Sequence, residues 1–212
     1  MAELAITQTA IPGLLVISLD VRVTTVAGSR RTGSGRKMVA LGLPDFAPVQ
    51  NNISFNDRVG TTRGIHAEPW DKLVSLATGR IFGAWVDLRS GDSFGRCFTI
   101  EMGPETAIFV PRGVGNAFQT LTDQTAYSYL VNDHWKPAAS ESYTFVNLAD
   151  ETLAINWPIP LEQAELSQAD QAHPQTRRRY AAGIEADLDH RGCRSAGAGA
   201  DPGVSIGDSD HP

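Results

Sequence analysis

At 212 residues with ordinary hydrophobic content, the chain is long enough to bury one substantial core and requires no second domain. A formal net charge of -6 and a pI of about 5.3 argue against a nucleic-acid scaffold, so an anion must be gripped by a local cationic pocket. No apolar run is long enough to span a bilayer, the N-terminus lacks a basic and apolar leader, and Cys97 and Cys193 do not look like a disulfide framework. These features point to a soluble protein of the cytoplasm.

In chain order, Leu14 to Leu19 reads as a strand after the Pro12-Gly13 turn, and the basic, glycine-rich stretch from Gly28 to Lys37 reads as a mobile loop. From about Val49 to Trp157 short strands alternate with Gly, Pro, Asn and Asp. The clearest are Leu73 to Ala77, Ile81 to Leu88, Cys97 to Met102, Ala107 to Val110, Ala117 to Leu121 and Ala126 to Val131. In the second of these, Phe82, Ala84, Val86 and Leu88 share one face, and Trp85 and Asp87 share the other. So many short strands with few helical stretches predict an all-β antiparallel sandwich or small barrel. Leu161 to Ala172 fits a short terminal helix. The first 174 residues thus form the domain, and residues 175–212, polar and mostly small towards the end, read as a flexible tail.

The chemistry concentrates at Thr62-Arg63-Gly64-Ile65-His66 and Lys72-Leu73-Val74. Arginine clamps an anion, histidine moves a proton near neutral pH, and lysine stabilises a developing negative charge. Together they suggest proton abstraction beside a carbonyl in a phosphate-bearing substrate. Strand alternation predicts that Thr62, Gly64 and His66 point the same way. Alone, a strand histidine is more often a hydrogen-bonded structural residue, and Lys72 is equally a solvated strand-end charge. Tyr127 and Tyr129, two apart, share a face; they are either core aromatics or a proton donor opposite the base. Asp170 is either a helix cap with Ser167 or the carboxylate that orients His66. Metal chemistry is disfavoured. Compared with metal-binding cupins, which use a His-x-His pair with a Glu and a later His after a Pro-x-Gly turn, His66-Ala67-Glu68 lacks the second histidine and the turn Pro111 to Asn116 ends in asparagine.

These residues, in this order, resemble the dTDP-4-dehydrorhamnose 3,5-epimerase family. The resemblance runs from about Ile11 to Asp170. It is carried by Val49-Gln50-Asn51-Asn52, Arg63-Gly64-Ile65-His66, Lys72-Leu73-Val74, Val86-Asp87-Leu88-Arg89-Ser90-Gly91 with Phe94-Gly95, Pro111-Arg112-Gly113, Ser128-Tyr129-Leu130, Ile155-Asn156-Trp157-Pro158 and Leu166-Ser167 with Asp170. It implies a cupin-type jelly roll, a homodimer that works without metal or cofactor on a nucleotide-linked 4-keto-6-deoxy sugar. His66 falls on the base, Asp170 on its carboxylate, Tyr129 on the acid and Lys72 on the enolate stabiliser. Arg63, Gln50 and Asn52 fall on nucleotide or sugar contacts, and Trp135 on the ring that stacks on thymine.

Three departures accompany the resemblance. The family's early phosphate-binding Asp-x-Arg-Gly-Phe segment is absent, with Arg30 or Arg31 of the basic loop as candidate substitutes. Asn116 replaces a substrate-contacting histidine, and Ala169 a lysine. The base and acid machinery is thus present while recognition is altered, which favours an unusual sugar or inversion at a single carbon. A ketoisomerase and a non-catalytic sugar-nucleotide-binding jelly roll are the alternatives.

Overall fold

Alternation of apolar and polar residues makes each strand two-faced, and two antiparallel sheets bury their inner faces against each other. The computed structural model describes residues 3–23, 28–30, 35–134 and 142–175. Its strands are β1 (Ala5–Gln8), β2 (Leu15–Ser18), β3 (Val21–Val23), β4 (Gly28–Arg30), β5 (Gln50–Asn56), β6 (Thr61–Ala67), β7 (Lys72–Thr78), β8 (Ile81–Asp87), β9 (Cys97–Met102), β10 (Thr106–Val110), β11 (Val114–Thr120), β12 (Thr125–Val131), β13 (Thr144–Phe145) and β14 (Glu165–Leu166). Two short helices, α1 (Gly35–Ala40) and α2 (Gln168–Gln171), accompany them.

One sheet runs β1-β2-β10-β7-β12-β5 and the other β13-β6-β11-β8-β9, with β14 added in parallel to β6. This is the double-sheet jelly roll that the resemblance implies. Between the sheets lie Val74, Leu76, Ile81, Trp85, Ile108, Val110 and Phe118, all buried. The outer face of the first sheet is covered by α1 through Met38, which packs with Leu15, Ile17 and Phe109. Ile65, Phe82, Ala84 and Val86 on the second sheet pack against Val146, Leu148 and Leu153 of the long C-terminal connection. The facing of Phe82, Ala84 and Val86 away from Trp85 is therefore as their alternation predicts. Burying apolar area at roughly 25 cal/mol per Å² makes these three layers the main source of stability.

Three expectations are corrected. Leu161 to Ala172 is not one helix: a 3-10 turn at Leu161–Gln163 leads into β14, and only α2 is α-helical. Glu165 N donates to Gly60 O at 3.0 Å, and β14 aligns Leu166 with Thr62, so the sheet edge takes the backbone groups a helix would have used. The stretch from Gly28 to Lys37 is not all loop, because β4 pairs with β3 and α1 begins at Gly35. Residues 24–27 and 31–34 lie outside the described residues, as does the expected tail beyond residue 175. Cys97 is disulfide-bonded, against the expectation of unpaired thiols, and Cys193 lies outside the described residues.

The loop before β7 is fixed by Asp71. Its Oδ1 accepts from Arg112 N at 2.8 Å, and its Oδ2 accepts from Arg112 Nη2 at 3.1 Å and from Asn132 Nδ2 at 2.9 Å. Burial pushes the Asp71 carboxyl up, but the hydrogen bonds and charge of Arg112 outweigh it and hold it below the ordinary carboxylate value. A depressed carboxyl stabilises the fold above its unfolded value of about 3.9, and the stabilisation is lost as pH falls through the folded value. Asp71→Asn is therefore expected to lower the unfolding free energy by about 1–2 kcal/mol at neutral pH. Urea melts should show this gap closing below about pH 3.5. A gap of equal size in acid would show that the Asp71 charge is not its source.

Candidate active site

The cleft opens at one end of the two sheets, where β6, β7, β11 and β12 converge. A bulge in β6 decides which side chains reach it. Thr62 lies opposite Gln119 and Arg63 opposite Phe118, but His66 lies opposite Asn116, so β6 carries one extra residue around Gly64 and Ile65. Strict alternation is thereby broken. Thr62 and Ile65 are fully buried, while Arg63 and His66 both line the cleft. The expected common face of Thr62 and His66 does not exist: Thr62 Oγ1 accepts from Gln119 Nε2 at 3.0 Å and donates to Gly60 O. Gly64 lines the cleft at φ +126°, in the region that favours glycine.

β14 continues into α2, whose N-cap is Ser167; its hydroxyl accepts from Asp170 N at 3.0 Å and donates to Asp170 Oδ2 at 2.7 Å. Capping thus turns the Asp170 carboxylate towards β6, where its Oδ1 meets His66 Nε2 at 2.8 Å. Asp170 thus takes part in the Ser167 cap and at the same time meets the His66 ring. Burial pushes the carboxyl up, yet hydrogen bonds from His66 and Ser167, with the charges of His66 and His173, hold it below its ordinary value. It is therefore a carboxylate, an acceptor only, and His66 Nε2 carries the proton that it accepts. The lone pair of the neutral ring sits on Nδ1. Of the pair, only His66 lines the cleft.

Lys72, the first residue of β7, is buried and ion-paired with Glu68, and both line the cleft. Tyr127 and Tyr129 also line it, on the shared face that their spacing predicts. Their environments differ. Tyr127 is buried, stacks on Phe118 at 4.4 Å, and donates to Asn116 Oδ1 at 2.9 Å. Burial, then Glu68, pushes the half-buried Tyr129 phenol up, with Arg63 opposing. Tyr129 also borders an adjoining cavity of about 270 Å³ that contains Gln50, Asn52, Trp70 and Tyr143. Gln50 Nε2 donates to Asn52 Oδ1 at 2.7 Å. The fold thus gathers His66, Lys72, Tyr129, Arg63 and Asn116 at the cleft, with Asp170 behind His66 and Gln50 and Asn52 beside it. Trp135 and Arg31 lie outside the described residues, and the Arg30 side chain is likewise undescribed.

Two participants were not singled out in the sequence. Glu68 was weighed only as a metal ligand, whereas its i,i+4 spacing to Lys72 brings the two charges together across a turn. His173 follows Asp170 by three residues. Its ring stacks on Phe145 at 4.7 Å and meets the edge of His66 at 5.1 Å, with Nδ1 3.9 Å from Asp170 Oδ1. Burial, then the neighbouring His66, pushes the His173 imidazole below its ordinary value.

A methyl at Gly64 would stand 2.5 Å from Ala117 Cβ and 2.7 Å from Asn116 O. Gly64→Ala is therefore expected to lower stability by about 2–4 kcal/mol, combining backbone strain with overpacking. Thermal melts of the purified variant check this, and an unchanged midpoint would show that β6 tolerates the methyl.

Residues 8–178 match the family described as dTDP-4-dehydrorhamnose 3,5-epimerase. The RmlC homolog of Streptococcus pyogenes serotype M6 is 44% identical over 169 residues, spanning 77% of this chain and 85% of that protein. A dTDP-4-dehydrorhamnose 3,5-epimerase of Sinorhizobium fredii is 34% identical over 146 residues, 66% of this chain and 71% of its own length. RmlC from Streptococcus suis, solved in complex with dTDP-D-xylose, superposes with a TM-score of 0.79 at 43% identity, covering 83% of this chain and 93% of that one. The chain belongs to the dTDP-4-dehydrorhamnose 3,5-epimerase family.

Proposed function

We propose that the protein epimerises a dTDP-linked 4-keto-6-deoxy sugar by removing and returning a proton beside the ketone, at C3, C5 or both. The observation that carries this reading is the His66–Asp170 pair opening onto a cleft that also holds Lys72 and Tyr129. The ketone acidifies the neighbouring carbons. His66 Nδ1 accepts the proton, and Asp170 stabilises the imidazolium that forms. Lys72 supports the charge on the enolate oxygen, and Tyr129 returns a proton from the other face. Positioned acid and base groups each supply about 10² to 10⁴-fold, and a preorganised cation beside the enolate contributes further. No step calls for a metal or cofactor. Arg63 would hold the diphosphate, and Gln50, Asn52 and Trp135 the nucleotide end. Inversion at a single carbon is the narrower reading. It is supported by Asn116, whose amide is turned to Tyr127 where the family's histidine would contact the sugar.

A homodimer is part of the proposal. β5 is an edge strand with Ile53 and Phe55 exposed, 64% and 60%, an apolar edge of the kind that pairing covers. A cytoplasmic setting fits a nucleotide-linked substrate, and the bonded Cys97 adds no support to it. Ile53→Lys with Phe55→Lys is expected to shift the sedimenting species from dimer to monomer. A wild-type monomer at micromolar concentration would remove the dimer from the reading.

Incubation with dTDP-4-keto-6-deoxyglucose in D₂O, read by NMR, tests the chemistry. His66→Ala is expected to abolish deuterium entry at the ring carbon while nucleotide binding persists; wild-type exchange in this variant would sink the assignment. Binding without any exchange by the wild-type protein would leave a sugar-nucleotide-binding module.

Tyr129→Phe is expected to keep exchange and lose inversion, because the enolate is then reprotonated from the original face or by water. Label at one carbon supports single-site inversion, and equal rapid label at both excludes it. Full inversion by Tyr129→Phe would take Tyr129 out of the mechanism.

A further inference from the structure

We propose that His66, Asp170 and His173 form a binding site for a borderline transition-metal dication such as Zn²⁺ or Co²⁺, and that occupation of this site switches the base off. One ligand atom from each residue lies within 4.8 Å of the other two, and Asp170 Oδ1 faces both His66 Nε2 and His173 Nδ1. Two imidazoles and one carboxylate are the three-ligand set of an open zinc site, with a fourth position left for water. Sequence reasoning counted one imidazole here because His173 is remote from His66 in the chain. The parallel pairing of β14 with β6 and the turn of α2 supply the second.

Two observations support a site rather than a chance cluster. His173 Nδ1 is buried, has no hydrogen-bond partner and lies 3.9 Å from Asp170 Oδ1, so the Nε2–H tautomer of the ring would offer a lone pair there. His173 is also pinned along its chain: Asn147 Nδ2 donates to the carbonyls of Gln171 and His173 at 2.9 and 3.0 Å, and Asn147 N donates to Pro174 O at 2.9 Å. Metal-to-ligand bonds of about 2.0–2.2 Å in a tetrahedron separate the ligands by about 3.3–3.6 Å. The separations from Asp170, 2.8 Å and 3.9 Å, bracket that range and no pair lies beyond 4.8 Å, so side-chain shifts of about an ångström close the site.

The effect on catalysis follows from the tautomer and rests on His66 being the base. Bound metal takes the place of the proton on Nε2. The neutral ring then carries that proton on Nδ1, leaving no lone pair towards the cleft. No proton is gained or lost overall, since Asp170 is already ionised. Neither Asp170 nor His173 lines the cleft, so the ion sits behind the ring and leaves nucleotide binding intact.

The test titrates the metal-stripped full-length protein with Co²⁺, read by visible absorption, and with Zn²⁺, read by calorimetry and by the D₂O exchange assay. One equivalent per chain is expected, with the strong visible bands of a four- or five-coordinate site. His173→Ala is expected to weaken this binding by at least about tenfold. Exchange by the wild-type protein should fall as the equivalent binds, with dTDP affinity unchanged. At the same Zn²⁺ concentration, the ratio of rates with and without metal should stay near one in His173→Ala. Absence of the bands, equal metal affinity in His173→Ala, or undiminished exchange at full occupancy would each overturn the proposal. His173→Gln repeats the comparison if the alanine variant does not fold. A wild-type protein that binds Co²⁺ as expected but shows no exchange before metal is added would count against the epimerase reading and not against the site.

Discussion

The hydrogen bond between His66 and Asp170 is the interaction on which the rest of the site depends. A carboxylate as buried as Asp170 is tolerated only if hydrogen bonds replace its water, since an uncompensated charge costs several kcal/mol. Ser167 and the His66 ring supply those bonds. The same contacts dictate the surrounding architecture. β14 must lie parallel to β6 to bring α2 alongside, and β6 must bulge so that the imidazole faces the cleft while Ile65 stays in the core. The fold spends its least regular segments on this one contact. The regular part of the jelly roll is a frame that holds both ends of it.

Charge in the cleft is arranged with the same economy. The protein is acidic overall, so the long-range field does not draw in an anionic substrate, and recognition must come from near neighbours. Lys72 is buried beside Glu68, which offsets its charge in the resting cleft. In the proposed mechanism an enolate oxygen beside Lys72 would meet a cation whose position is already fixed by its partner, which is where preorganised electrostatics act most strongly. Arg63, just ahead of the bulge, lines the cleft and is exposed.

Much of this was legible from the sequence, for physical reasons. Strands such as Cys97–Met102 and Ile81–Asp87 announce themselves because alternation is the direct image of a two-faced sheet. The ordered motifs bring His66, Lys72, Tyr129 and Asp170 into one reading. What periodicity misses are departures from periodicity. The bulge at Gly64 and Ile65 reverses the facing of Thr62, and the parallel β14 replaces the expected helix, because each depends on a partner strand far away in the chain. His173 escaped notice for the same reason: its neighbours Phe145 and His66 meet it only once the C-terminal connection has folded back over β6.

The two tyrosines show how a shared face still divides labour. Tyr127 and Tyr129 project from one side of β12, so spacing alone cannot assign the acid. Full burial pushes the Tyr127 phenol far above its ordinary value, and the ring is locked between Phe118 and the Asn116 amide. A group so placed keeps its proton and spends its hydroxyl on orientation. Tyr129 is only half-buried and stands between the cleft and the cavity of Gln50 and Asn52, where a sugar and its nucleotide would join. Tyr127's partner Asn116 spends one lone pair of its amide oxygen on that hydroxyl, which fixes the amide's orientation at the cleft. Replacing histidine by asparagine in this setting removes a titratable group from the cleft and substitutes a donor of fixed direction. In the proposed mechanism the acid-base work falls to His66 and Tyr129.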